Sequence, residues 1–292
     1  PIIFSIIAIW AVATFPITEE KAHEIREALE RRRSGIDEES TAASAEALPL
    51  VSAAPTTAPQ GIGEKVEALL AKMNLKQKIG QMVQTERMAA TPADVKNFHL
   101  GSILSGAGSL PGDNTTKDWV DMNDAYWAAS MEADENHLAI PLLYGVDAVH
   151  GNSNVKGATI FPHNIGLGAA NDPELMERIA KVTAKEILAT GVEWTFAPTL
   201  AVARNDRWGR TYESYSEDPE IVSSYSGRFV RGMQGDLGRD SVIACAKHWV
   251  GDGGTTGGVD QGDTEVSSEE LENVHIKPYY NALEAGVLTV MA

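Results

Sequence analysis

The chain has 292 residues, enough for one large domain or two small ones, and 43% of them are hydrophobic, which excludes disorder throughout. Lys and Arg number 24 against 41 Asp and Glu, giving a formal net charge of −17 that opposes binding to nucleic acid or an anionic membrane surface and favours a neutral or cationic partner. Cys245 is the single cysteine, so neither an internal disulfide nor a cysteine-based zinc site can form, and its apolar setting predicts a buried structural thiol.

In chain order, residues 2–15 form an apolar stretch too short to cross a bilayer as a helix but of the length of a signal-peptide core, with Ala11-Val12-Ala13 as a small-x-small cleavage site. The chain opens on Pro1, so its natural start is expected upstream. Residues 18–33 read as a short helix, with Glu19 and Glu20 near its start, Arg31, Arg32 and Arg33 near its end and Gly35 as a stop. Residues 40–60 are rich in Ala, Ser, Thr and Pro and read as a linker. The expected division is a signal core over 1–16, a helical extension and linker over 17–61, and a folded domain over 62–292. It implies a periplasmic or secreted protein without stable membrane insertion after processing.

From residue 62 onward the pattern alternates. Helices are predicted over 64–73, 117–133, 173–190, 219–234 and 268–285, and strands over 102–105, 141–146, 193–198, 242–246 and 287–291, with 79–83 as a first strand. Asp172-Pro173-Glu174 and Asp218-Pro219-Glu220 place a capping acceptor before a proline at the first helical position. Ser267 with Glu270 has the spacing of a capping box, while Gly191 and Gly286 stand where helices should end. Leu175, Ile179, Val182 and Ile187 recur at helical spacing as one packing face. Trp119, Trp127 and Trp194 are expected in the core, and Trp208 and Trp249 near a ligand.

Such alternation implies a parallel sheet, doubly wound or closed as a barrel. Asp147 and His150 follow one apolar run, residues 204–210 the next, and Lys247-His248 another. In a barrel those strand ends converge on one mouth, where such folds place their sites, so the predicted fold is an α/β (β/α)8 TIM-type barrel, incomplete, with about six of eight strands present. The run at 287–291 would then be an exposed edge, and the isolated chain is expected to be poorly soluble.

The densest chemistry lies in residues 205–219, where Arg207, Arg210, several carboxylates and three aromatic rings share one loop. Guanidinium groups hydrogen-bond vicinal oxygens and rings stack on the apolar face of a pyranose, so the loop suits a hydroxylated ligand. A structural ion-pair network is the competing reading. Gly251–Gly258 lacks the Gly-Lys-Ser/Thr ending of a P-loop and reads as a flexible loop lining a pocket; Gly106-Ala107-Gly108 has no following helix to make it a dinucleotide fingerprint. His150, His163 and His248 are not spaced as a metal motif, so no metal and no cofactor are expected.

Three motifs stand out: Gly145-Val146-Asp147-Ala148-Val149-His150-Gly151, the block Arg207-Trp208-Gly209-Arg210 with Ser216-Glu217-Asp218-Pro219, and Ala246-Lys247-His248-Trp249-Val250-Gly251-Asp252-Gly253-Gly254. Together they resemble glycoside hydrolase family 3, closest to its β-glucosidase and exo-β-glucan glucohydrolase branch. The resemblance runs from about residue 62 to 292. It implies that Asp147, Arg210, Lys247 and His248 bind hydroxyls of the terminal glucose of a β-glucoside or β-glucan oligosaccharide; His150 reads equally as a structural hydrogen-bonder or a ligand contact.

By the same resemblance the enzyme hydrolyses terminal non-reducing β-D-glucosyl residues by the retaining route, whose two carboxylates lie roughly 5–5.5 Å apart. In such relatives the nucleophile is the Asp of a Ser-Asp-Trp motif on the strand after the one at 287–291, and the acid/base comes from a following α/β sandwich domain. Both are therefore expected beyond Ala292, and the chain alone is expected to be an amino-terminal fragment without activity. Gln261 falls near a position where the closest relatives place an acidic residue. The β-N-acetylglucosaminidases of the family typically read Lys-His-Phe-Pro-Gly-His-Gly, followed by an Asp-Ser-His loop; here Val250 and Asp252 replace that Pro and second His, and residues 255–264 hold no His. That activity and a non-catalytic carbohydrate-binding remnant remain the alternatives; oligomeric state is open.

Overall fold

The computed structural model describes residues 62–106 and 108–292; the signal core, extension and linker expected over 1–61 lie outside them. Helix α1 (Ile62–Leu70) leads to α2 (Leu75–Gln81), which begins with a reciprocal capping box: Gln77 N–H donates to Asn74 Oδ1 at 3.0 Å and Asn74 N–H to Gln77 Oε1 at 2.9 Å. The expected first strand at 79–83 is thereby corrected. Ile79 and Gly80 belong to the helix, and strand β1 is Gln84–Glu86. A short apolar run reads alike as strand or helix, and the cap decides it.

β1 pairs with β2 (Ser102–Ser105), β2 with β3 (Leu143–Val146), β3 with β4 (Trp194–Thr195), and β5 (Cys245–Lys247) with β6 (Thr289–Met291), all in parallel. The two groups are stitched by backbone bonds from Thr195 N to Ile243 O at 2.9 Å, Ile243 N to Glu193 O at 2.8 Å and Cys245 N to Ala197 O at 2.9 Å. Six strands among the described residues thus follow one another in chain order, as in the wall of a TIM-type barrel.

The helices are α3 (Pro92–Phe98), α4 (Thr116–Met131), α5 (Asn164–Ala170), α6 (Pro173–Leu188), α7 (Pro219–Gln234), α8 (Ser268–Glu270) and α9 (Lys277–Glu284). α3 is a helix beyond those expected, started by a capping box of Thr91 and Asp94 with Pro92 in the first turn. The expected continuous helix at 268–285 is broken by a π-helical stretch, Leu271–Ile276, just before Pro278. Proline has no N–H to continue the ladder and its ring crowds the carbonyl four residues back, which the wider turn relieves. Ser267 caps α8 by accepting from Glu270 N–H at 3.1 Å.

On α6 the buried face is Met176, Ile179, Ala180, Thr183, Ala184 and Ile187, while Val182 is exposed, contrary to expectation. Each fully buried Ile there contributes about 1.5–3 kcal/mol. Gly232 lets α7 approach α6 closely, since a Cβ on it would lie 2.5 Å from Glu177 O. The Tyr225 hydroxyl ties α7 to the start of α6, accepting from Asp172 N–H and donating to Leu167 O, both at 2.7 Å.

Trp119 and Cys245 are buried as expected and Trp194 partly so, whereas Trp127 is half exposed. His99, at φ 57°, caps α3, and its Nδ1 meets Nδ1 of buried His137 at 3.1 Å. His137 Nε2 lies 2.9 Å from Ser130 O, so that nitrogen donates; in the neutral pair His99 Nδ1–H must then donate to His137.

Candidate active site

β3 ends at Val146, which places Asp147 directly past the strand, where Asn154 Nδ2 holds its carbonyl at 2.7 Å and Ala148 N–H donates to Thr195 Oγ1 at 3.2 Å. β5 ends on Lys247, fixed by N–H donation to Pro198 O at 3.0 Å and by Leu200 N–H donating to its carbonyl at 2.6 Å. Lys247 is only 4% exposed. A buried ammonium needs an anion, and Lys247 Nζ donates to Asp147 Oδ1 at 2.7 Å, joining the ends of β3 and β5. Asp147 remains 44% exposed in its side chain, so its carboxylate is reachable from solvent.

Arg210 comes from the long loop after β4, immediately before the 3-10 turn Thr211–Glu213. Its Nε and Nη2 donate to Glu213 Oε1 and Oε2 at 2.7 and 2.9 Å, a planar two-point grip. Thr199 Oγ1 adds a weaker bond to Glu213 Oε2 at 3.4 Å. Burial pushes the Glu213 carboxyl up, but Arg210, then Lys247 and His248, outweigh it and hold it below the usual glutamate range. The same grip raises Arg210 further above its already high ordinary value.

His248 lies beside Asp252, Nδ1 to Oδ2 at 2.9 Å, without the angle of a hydrogen bond, and both atoms are buried with no hydrogen-bond partner among the described residues. Arg210 Nη1 reaches the same oxygen at 3.8 Å. Asp147, Arg210, Lys247 and His248 therefore stand as two pairs, Lys247 with Asp147 and Arg210 with His248 through Asp252, and the Glu213 carboxyl is held low chiefly by Arg210. Glu213 and Asp252 do not stand among the four binding candidates, although Asp252 belongs to the third motif, four residues after His248.

The loops carrying these groups touch backbone to backbone. A Cβ on Gly253 would lie 2.3 Å from Val202 O, and one on Gly258, at φ 72°, would lie 2.6 Å from Trp208 N. The glycine-rich segment is thus packed against the Arg210 loop, where a flexible lining was expected. Trp208 is 1% exposed and donates Nε1–H to Asp260 at 3.0 Å, so it supports the loop from beneath and cannot stack on a ligand; Trp249 is 42% exposed with its ring edge on Tyr279. Gln261 is exposed at φ 59°. His150 Nε2 meets His163 Nδ1 at 3.0 Å, and burial lowers its pKa. Two surface depressions of about 610 and 620 Å³, over α3/α4 and α2/α3, contain none of the four residues.

Taken as chemistry, the set offers one accessible carboxylate as acceptor and a guanidinium, an ammonium and an imidazole as donors. Lys247 and Arg210 are held by hydrogen bonds to Asp147 and Glu213, and His248 by its 2.9 Å contact with Asp252. Such an array suits a compact neutral ligand bearing several hydroxyls.

Residues 74–292 match the Glycosyl hydrolase family 3 N terminal domain. The chain is 32% identical over 251 residues to a lysosomal beta glucosidase of Dictyostelium discoideum, covering 77% of this chain and 30% of that protein. It is 32% identical over 229 residues to a periplasmic beta-glucosidase of Salmonella typhimurium, covering 77% and 28%. It resembles the crystal structure of an exo-1,3/1,4-beta-glucanase from a Pseudoalteromonas species with TM-score 0.75 and 47% identity, covering 80% of this chain and 30% of that one. The chain thus spans about a third of the length of these relatives.

Proposed function

Because the chain belongs to glycosyl hydrolase family 3, we propose that the full-length protein releases terminal non-reducing β-D-glucosyl residues from β-glucans or oligosaccharides, and that residues 62–292 form one barrel domain supplying the innermost sugar subsite. The observation that carries this reading is the 2.7 Å contact between Lys247 and Asp147, one hundred residues apart, beside Arg210 and His248 on a shared Asp252. In it Asp147 accepts from two vicinal hydroxyls, Arg210 and Lys247 donate to others, and His248 closes the ring of contacts. A sugar epimer that leaves one of these buried groups unpaired loses about 1–3 kcal/mol, which is how an equatorial hydroxyl is told from an axial one.

Asp147 and Glu213 are given binding and supporting roles because their carboxylates are already engaged, Asp147 by Lys247 at 2.7 Å and Glu213 by Arg210 at 2.7 and 2.9 Å. The attacking carboxylate and the acid/base of a retaining route are accordingly assigned to parts of the full-length protein outside residues 62–292. A periplasmic or secreted location goes with this reading, supported by the periplasmic Salmonella relative and the apolar run at 2–15. The test is glucose release from β-linked oligosaccharides. Asp147→Asn and Lys247→Ala should each abolish it in the full-length protein, and undiminished turnover in both would refute the assignment.

A further inference from the structure

The helical run after β5 presses on the segment that carries Asp252, and it does so with side chains outside the four-residue cradle. Tyr279, 2% exposed on α9, stands edge-on to the Trp249 ring at 5.0 Å and 86° and lies within electrostatic reach of Asp252. One turn earlier, near the end of the π-helical stretch Leu271–Ile276, His275 is also 2% exposed. Its ring faces Gly254, because a Cβ built on that glycine would lie 2.5 Å from both His275 Cε1 and Nε2.

Backbone contacts pin the rest of the 3-10 turn Asp252–Gly254. Arg204 N–H donates to Gly253 O at 2.7 Å, Gly254 N–H to Gly251 O at 2.9 Å and Thr264 Oγ1 to Gly251 O at 2.7 Å. With Val202 O only 2.3 Å from where a Gly253 Cβ would stand, the turn is held between the 202–204 backbone and the His275 ring. Asp252, its first residue, meets His248 Nδ1 at 2.9 Å and Arg210 Nη1 at 3.8 Å with one and the same oxygen. A binding constellation works only when held within about 0.5 Å of its geometry, so the seating of this turn decides whether both cations are in register.

Packing alone does not account for His275. Its Nε2 is buried with no hydrogen-bond partner among the described residues, a cost that an apolar side chain would avoid. It also sits on a π-helical turn, a rare form that recurs at functional sites. We propose that His275 is a positioning residue of the sugar cradle: wedged against Gly254, it seats the Asp252–Gly254 turn, and Asp252 in turn fixes His248 and Arg210. This rests on the sugar-cradle reading above. Buried as it is, His275 touches no sugar and acts through Asp252.

The experiment measures the inhibition constant for free glucose, together with Tm, on the full-length protein and its variants at a temperature well below Tm. His275→Ala should weaken glucose binding about three- to tenfold and Gly254→Ala about ten- to fiftyfold, within the range of couplings between touching residues. The double variant should bind glucose more tightly than Gly254→Ala alone, because the ring that the added methyl strikes is gone. In an Asp252→Asn background His275→Ala should change the glucose constant by less than about twofold, since the link it acts through is already cut. Should His275→Ala fold poorly, His275→Leu, which fills space without a flat ring, carries the comparison. A lowered Tm with the glucose constant within about 1.5-fold of native would make His275 a core residue only and overturn the proposal, as would losses for Gly254→Ala and His275→Ala that simply multiply. If Asp147→Asn abolishes inhibition by glucose while the His275 variants leave it intact, the positioning role alone falls. A native protein that neither releases glucose nor is inhibited by it would overturn the cradle reading, and the positioning role with it.

Discussion

Replacing Glu213 by Gln keeps the shape of the side chain and removes its charge from beneath Arg210. The native pair is bidentate at 2.7 and 2.9 Å, with 9% of the Glu213 side chain and 24% of the Arg210 side chain exposed. Breaking a fully buried pair by deleting one partner costs about 3–5 kcal/mol, whereas an exposed pair is worth about 0–1 kcal/mol. Arg210 retains some water and a distant anion, Asp252 at 3.8 Å, so the expected loss falls between, at about 2–3 kcal/mol. For a domain of this size that corresponds to a drop in Tm of about 4–12 °C. The assay is thermal or urea unfolding of the native protein, Glu213→Gln, Arg210→Met and the double variant. Because the double variant leaves no unpaired charge, its loss should fall short of the summed single losses by about 1.5–3 kcal/mol. A Tm change under 1 °C for Glu213→Gln, or strictly additive losses, would refute the argument that Glu213 exists to hold Arg210.

Three other outcomes are expected. Gly168→Ala should prevent soluble expression or lower Tm by more than any surface change, because its Cβ would lie 1.7 Å from Tyr215 O, a backbone atom that cannot step aside; a variant that melts like the native protein would contradict the packing of α5 against the Arg210 loop. Asp172→Ala removes the acceptor of Leu175 N–H at 2.9 Å at the start of α6 and should cost about 1 kcal/mol by urea unfolding, with no loss at all counting against the cap. Stability should also fall as pH drops below 6.5. His99, His150 and His275 are held below the ordinary histidine value by burial, so the unfolded chain takes up protons first in that range, and Glu213, held low by Arg210, adds a loss at still lower pH. Relief of the −17 charge acts in the opposite direction, so the decisive measurement is the slope: His99→Asn, which tolerates the left-handed backbone at φ 57°, should lose less Tm between pH 7.5 and 5 than the native protein, and an unchanged slope would exclude the His99–His137 contact as a source.

The alternation of helix and strand was legible because it rests on local rules. Asp172-Pro173 and Asp218-Pro219 start helices at the expected residues, since a capping carboxylate and a proline act within one turn and need nothing distant. The same signal stands at Thr91-Pro92, before a helix of 7 residues that is too short to show a helical period in the sequence. The four candidate residues stand out in the sequence only as charge that follows apolar runs.

What no local rule contains is who meets whom. That Lys247 finds Asp147 a hundred residues away, that Glu213 holds Arg210, and that Asp252 stands between Arg210 and His248 follow only once parallel strands bring their ends to one side. Burial is equally a product of packing. Trp127 and Trp208 were assigned opposite settings from their neighbours in sequence, and the fold exchanged them, exposing the first on α4 and covering the second with the glycine-rich loop. The sequence by itself determined where the capped helices begin and the alternation of helix with strand, because propensity and capping are short-range. The tertiary structure alone decided pairing and exposure, because these depend on close contacts between segments whose separation along the chain encodes no distance in space.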